Sequence, residues 1–411
     1  MHDLHLAALR LPEPQRRCQQ LADELIQGRS VVWVMPRDTE SATMLGSVLQ
    51  RCRQSGLLRY EQFDLISGCG DSPAIQVADR WGLADSISPS RLYRELHTSQ
   101  ALPELLVLEG LAQLPEADVA AWVRFVRAWV DAARTVGSAT TPKALLVPVD
   151  SWEIAVQFSA DTYLAISWLW GWVGVPEVML LARSLSRERG LAPDASLWVQ
   201  SVYTHLAGGD IECLAWLVDR GAPPIQDDRV HALLVEYAEH KGWGKHLLNG
   251  QRRIAATSSP YQRLAPPESL RPLWHVGAVD DNDGHPKFHA ALLAAAGRRR
   301  DIRCQVWAAQ ASCLLPLMDR WRLNACDKLA STYSDWSRAC AQDELATAVS
   351  GGATAVEFAD MDNFLANPRL RPPADRELKR RTTRLRHRRN QLAHCVPLSW
   401  EEFQEVCTDC R

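Results

Sequence analysis

The sequence predicts an α/β domain with a parallel sheet over about residues 1–150, then an all-α middle region and an all-α carboxy-terminal bundle. Three observations predict it. Short branched and aliphatic runs alternate with helical segments in the first 150 residues, the strand signal fades after Ser151, and helical spacing returns in the last third.

The first strand is expected at Ser30–Pro36 (SVVWVMP), followed by a helix from Thr39 to about Cys52. A second apolar run, Glu104–Leu108 (ELLVL), precedes the amphipathic stretch Ala117–Ala133, and Lys143–Val149 (KALLVPV) makes a third strand. Strands separated by helices of this length imply parallel pairing, because parallel neighbours need crossover connections. Over 151–260, Val178, Leu181, Ala182 and Leu185 follow Pro176 at a first helical position, so this part reads as a helical lid or linker domain. Residues 256–286 mix Ser, Pro and Gly with an acidic tract, Asp280 to Gly284, and read as a connection. In the last domain, 286–411, Ile302, Val306, Ala309 and Cys313 keep helical spacing before Pro316. Leu378, Leu385 and Leu392 mark a later helix ending near His394, since Pro397 biases Val396 away from helical geometry. Ser399 and Glu402 form a capping-box pattern that starts a closing helix.

Composition excludes several classes. The 411 residues exceed what one core usually organises, and 46% hydrophobic with 23% charged residues describe an ordinary globular chain. A net charge of -3 gives no whole-molecule attraction to nucleic acid, so a basic surface must be local. The amino-terminal stretch carries Asp3, Arg10, Glu13, Arg16 and Arg17 without an apolar run, so no export signal is expected. The uncharged run Thr162–Pro176 is too short to cross a bilayer and is broken by Gly171, Gly174 and Pro176, so it reads as buried core. Eleven scattered cysteines fit reduced thiols in a cytoplasm.

One local basic surface stands out. Arg376, Lys379, Arg380, Arg381, Arg384, Arg386, Arg388 and Arg389, with His387, face a single acid, Glu377, within one helix. Such a run either meets an anion or forms a solvated face. Arg389 falls four residues after Leu385 and three before Leu392, near the apolar stripe, where a charge needs a partner or a task.

The hexapeptide Arg389-Asn390-Gln391-Leu392-Ala393-His394 resembles the RNxxxH motif of the HEPN superfamily, small helical domains of which many members are ribonucleases. Ile302 to Gln310, running on to Leu315-Pro316, looks like that family's opening helix, so the resemblance covers about 286–411. It implies metal-independent RNA cleavage leaving a 2′,3′-cyclic phosphate, with no cofactor. His394 would be the base that activates the ribose 2′-hydroxyl, or the acid for the leaving oxygen. Arg389 would pair with phosphoryl charge in the transition state, and Asn390, one turn before His394, would orient the imidazole. Lys379, Arg380, Arg384 and Arg388 would hold the RNA backbone. Relatives bring two copies of the motif together, which implies a homodimer, and the role would be that of an effector in a prokaryotic defence or toxin-type system. Some relatives carry a tyrosine two residues after the histidine; Val396 stands here, so modification of that tyrosine is not expected. The plain alternative is that Arg389 pairs with Glu357 or Asp360 and His394 caps the helix.

Val31–Cys52 resembles the opening of a P-loop ATPase of the AAA+ or STAND kind, and Leu105–Glu109 looks like its Walker B strand with one acid. Met35–Ser41 has no glycine and no GxxxxGK[ST] occurs, so backbone amides cannot close around a triphosphate. Asp38 and Glu40 would repel phosphate as well. Two readings stay open: a degenerate, non-hydrolysing docking domain with the helical middle region as its lid, or a plain α/β domain unrelated to that family. Metal readings fall away: Cys407-Thr408-Asp409-Cys410 is one CxxC even with His394 and Cys395 nearby, and a calcium loop through Gly284 would place Val279 first and Ala290 twelfth. The rival function is a non-catalytic adaptor that binds RNA or a partner ATPase in a multi-protein defence complex. No membrane partner is expected.

Overall fold

The computed structural model describes residues 6–37, 41–56, 59–65, 72–83, 91–136, 141–221, 227–248, 264–282, 284–333, 336, 356–366 and 374–411. They form two compact units, one of 1–177 with 250–289 and one of 178–249 with 290–411.

The first unit is α/β. Helix α1 (Pro12–Ile26) leads into β1 (Ser30–Val34), α2 (Ser41–Gln54), β2 (Tyr60–Asp64), α3 (Pro73–Arg80), α4 (Leu92–Thr98), β3 (Leu105–Glu109), α5 (Glu116–Ala133), β4 (Ala144–Val149), α6 (Trp152–Ala155) and β5 (Leu164–Trp168). The five strands make one parallel sheet in the order β2-β3-β4-β1-β5, with Val31 beside both Leu146 and Ala165. Strands β1, β3 and β4 are almost wholly buried, which is why they read as continuous apolar runs: both faces of a parallel sheet are covered by its crossover helices. On one face Val31, Trp33, Leu105, Val107 and Leu146 share a core with Leu21, Leu25, Val48 and Leu49 of α1 and α2. Helix α5 buries Trp122, Phe125, Val126 and Trp129.

Two expectations about this unit are corrected. The sheet extends beyond residue 150, because β5 lies within the stretch read as helical and pairs along the whole of β1. The segment 264–289 is not a linker: it contains α12 (Arg271–His275) and the hairpin β6 (Val279–Asn282)–β7 (His285–Phe288). Aromatic packing holds it, with the Trp274 ring 5.3 Å from that of Trp168 and its indole N–H donating to the Leu169 carbonyl at 3.2 Å. The acidic tract is therefore largely strand, and the Asp280 carboxylate accepts from the Gly171 amide at 2.9 Å. Asp283 lies outside the described residues.

The second unit is helical. It comprises most of α7 (Val175–Glu188), α8 (Pro193–Trp198), a π turn (Val199–Tyr203), α9 (Thr204–Ala207), α10 (Ile211–Arg220), α11 (Asp227–His240), α13 (Ala290–Ala295), α14 (Arg299–Thr332), α15 (Phe358–Ala366), α16 (Ala374–Ala393) and α17 (Trp400–Asp409). The helices of 178–248 thus belong with the carboxy-terminal helices and do not stand apart as a lid. Trp198 of α8 shows why: its ring meets Trp400 at 5.6 Å and Phe403 at 5.1 Å, both edge to face, within one core. Helix α14 continues through Pro316. Leu314, Met318, Trp321, Ala325 and Leu329 form one buried stripe across the proline, and tertiary packing of that stripe outweighs the lost backbone hydrogen bond. Among the described residues no helix is long and apolar enough to cross a membrane.

Candidate nuclease site

Helix α16 carries the motif. Leu385 and Leu392 are buried and face the bundle, as the spacing required, and Arg389 between them is half-buried. The helix closes with a Schellman turn: Cys395 adopts φ 59, its amide donates to Leu392 O at 3.1 Å, and the Val396 amide donates to Gln391 O at 3.0 Å. His394 is therefore the cap residue directly after Ala393, near the helix end that Pro397 and Val396 implied. Its imidazole is exposed and has no hydrogen-bond partner among the described residues; the cap is made by backbone. Two side chains of α14 hold this end. The Trp307 indole N–H donates to Leu392 O at 2.6 Å, and the buried Gln310 amide donates to Leu398 O at 2.8 Å while accepting from Leu398 N at 2.7 Å. The capping box of Ser399 and Glu402 then opens α17.

Most of the basic run is answered from within the chain. Arg384 lays its fork on both oxygens of Asp409, at 2.8 and 2.5 Å, and Asp409 is only 4% exposed. Arg388 bonds Glu402, Glu405 and Gln391, while Arg386 pairs with Asp362 at 3.0 Å. Glu377 receives Arg380 and Arg381. Arg389 stands 3.6 Å from Glu357, both side chains partly in water, a loose pair beyond hydrogen-bond length. Only Arg376 and Lys379 of the eight cations lack a carboxylate partner among the described residues. Arg384 and Arg388, read from the sequence as RNA contacts, both place their guanidiniums on acids of α17, a helix whose acids lie too far along the sequence to be matched to them by spacing.

The helix sorts these groups by face. At about 100° per residue, Arg376, Arg380, Thr383, His387, Asn390 and His394 fall within about 40° of one line. All six are exposed. Lys379 flanks this stripe, whereas Arg389 stands about 140° from His394 around the axis. Asn390 and His394 therefore share a face as anticipated, but one chain does not turn Arg389 toward the same point. Cys407 and Cys410 sit beyond this surface, and burial pushes both thiols up to about 12.

In the first unit, the turn after β1 lies at the carboxyl end of the sheet, with β4 and β5 as the neighbouring strands, the end at which open α/β sheets bind ligands. Pro36 has no N–H, and the Arg37 amide donates to the His275 carbonyl at 2.7 Å. Among the described residues of this turn, Pro36 supplies no amide and the Met35 and Arg37 amides are engaged; Asp38, Thr39 and Glu40 lie outside the described residues. Glu109, at the end of β3, accepts from Gln62 at 2.7 Å. These features define an α/β unit with a five-stranded parallel sheet, followed by a predominantly helical remainder.

No protein-family model matches the sequence, and no curated protein matches it. Among solved structures, the Thermotoga maritima RuvB Holliday junction branch migration motor is similar to it at 9% identity over 67% of this chain and 91% of that one, with a TM-score of 0.28. That likeness is too loose to carry an argument about either fold or activity.

Proposed function

We propose that the protein is a metal-independent endoribonuclease whose site is the end of α16, acting as an effector of a prokaryotic defence or toxin-type system. The observation that carries this reading is the solvent-exposed stripe that joins His394 and Asn390 to Arg376, Arg380 and His387, with Lys379 alongside. An imidazole at one end of a basic track can take the proton of a ribose 2′-hydroxyl while cations upstream hold phosphates. Arg389 lies on another face, so its guanidinium reaches the same phosphodiester from a second copy of the chain, which makes the active species a homodimer. The loose contact with Glu357 leaves Arg389 available for that exchange. The first unit serves as a docking module in this scheme, and the protein works in the cytoplasm.

Labelled RNA incubated in EDTA with wild type, His394→Ala and Arg389→Ala tests it. Wild type is expected to cut and both variants to lose about 100-fold or more in rate. Cutting that survives both changes removes the site.

A second reading is a non-catalytic adaptor that binds RNA or a partner ATPase. It is favoured by the internal pairing of six of the eight cations on α16. Absence of cutting under every activating condition, with a partner ATPase retained, would select it.

A further inference from the structure

We infer that Gln310, together with Trp307, positions His394. The inference rests on the nuclease reading above, and it concerns how an exposed imidazole at a helix end is held in register. His394 has no side-chain partner among the described residues, so the imidazole takes its place from the backbone that carries it. That backbone is anchored on both sides by α14. Before His394, the Leu392 carbonyl receives the Trp307 indole at 2.6 Å; after it, Leu398 exchanges two hydrogen bonds with the Gln310 amide, at 2.8 and 2.7 Å.

The Gln310 contact is unusual in its stringency. Its side chain is fully buried, and its donor and its acceptor are both directed at one residue's N–H and C=O. An apolar residue would pack there more cheaply, yet would leave the buried Leu398 amide and carbonyl without partners. The amide therefore fixes where the chain emerges from the turn. Between the two anchors lies Cys395 at φ 59, a conformation a residue with a Cβ resists, so the turn keeps its shape only while both ends are held. Loss of either anchor lets the turn relax and carries His394 with it.

The test uses the full chain with Gln310→Met, which keeps volume and removes both hydrogen bonds, and Trp307→Phe, which keeps a ring and removes the indole N–H. Leu329→Ala, a buried change elsewhere on α14, controls for simple loss of stability. Two readouts are taken: the His394 imidazole resonances by nitrogen-15 NMR, and kcat and KM for RNA cleavage. Each anchor variant is expected to shift or broaden the His394 signals and lower kcat by roughly 10- to 100-fold with KM little changed, because the basic stripe is untouched. Leu329→Ala should leave both readouts as in wild type. Should Gln310→Met fail to fold, Trp307→Phe and Gln310→Glu, which retains the acceptor for the Leu398 amide, decide the matter. Unmoved His394 resonances and an unchanged kcat in folded anchor variants would overturn the inference. If wild type cuts no RNA, the nuclease reading fails on its own, and the resonances alone still decide whether the anchors position His394.

Discussion

Arg384 and Asp409 form a forked pair in which two guanidinium nitrogens meet both carboxylate oxygens across α16 and α17. Asp409 holds the Arg384 guanidinium firmly in its charged form, raising its pKa, and the carboxylate itself is enclosed.

Removal of Arg384 leaves a buried carboxylate without its partner, so Arg384→Gln should lower stability by about 2–3 kcal/mol. RNA affinity should change little. Lys379→Gln and Arg380→Gln should do the reverse, leaving stability within about 0.5 kcal/mol and flattening the salt dependence of RNA binding by about 0.7 for each phosphate no longer neutralised. Urea unfolding and fluorescence anisotropy across a salt series measure the two effects separately.

These roles show what the sequence discloses and what it hides. Strands β1, β3 and β4 were legible because central parallel strands are buried on both faces and read as unbroken apolar runs. Their edge neighbours were not: β2 is YEQFD, polar and half-exposed, and the tryptophans around β5 suggested core without indicating a strand. Leu385, Leu392, Pro397 and the Ser399–Glu402 box placed the end of α16 and the start of α17 correctly, since caps and breakers act locally. The partners of Arg384, Arg388, Gln310 and Trp307 come from other helices, and no periodicity within a helix names them. The exposure of Asn390 and His394 follows from the same helical arithmetic that buries Leu385 and Leu392, so that part of the candidate surface was within reach of the sequence.

Cys395 offers a local test of the turn. A Cβ at φ 59 costs about 1 kcal/mol, and glycine removes that cost. Cys395→Gly is expected to raise the unfolding temperature, while Cys395→Val, branched at Cβ, should lower it. Thermal melts monitored by circular dichroism check both directions.

His97 gives the first unit a pH dependence. Burial holds its pKa down at about 4 against an ordinary 6.5, reinforced by Lys143 and opposed by its hydrogen bond to the Trp129 carbonyl, 2.9 Å away. The unfolded chain binds a proton below about 6.5 while the folded chain does not until about 4, so this stability is present above 6.5 and drains away as pH falls between the two values. The full effect is about 3 kcal/mol. Urea midpoints should therefore fall from pH 7.5 toward pH 4.5 in wild type and fall less in His97→Gln.

The occupied Arg37 amide and the missing amide of Pro36 predict that the first unit gains nothing from ATP. Millimolar Mg-ATP should leave the melting temperature unchanged, whereas a ligand present at about a hundredfold over its Kd would stabilise by about 2.7 kcal/mol. A clear rise on addition of ATP would show that residues 35–41 form a working cradle.

The most direct test of the account is the chemistry of the cut ends. RNA carrying a single 2′-deoxy substitution at a mapped scission site, and its all-ribo parent, are treated with the wild-type protein in EDTA, and the products are identified by mass spectrometry. A 2′,3′-cyclic phosphate is expected from the parent, no cleavage at the deoxy position, and at least about 100-fold slower product formation with His394→Ala. Cleavage at the deoxy position, or cyclic ends formed by His394→Ala at the wild-type rate, would contradict the account.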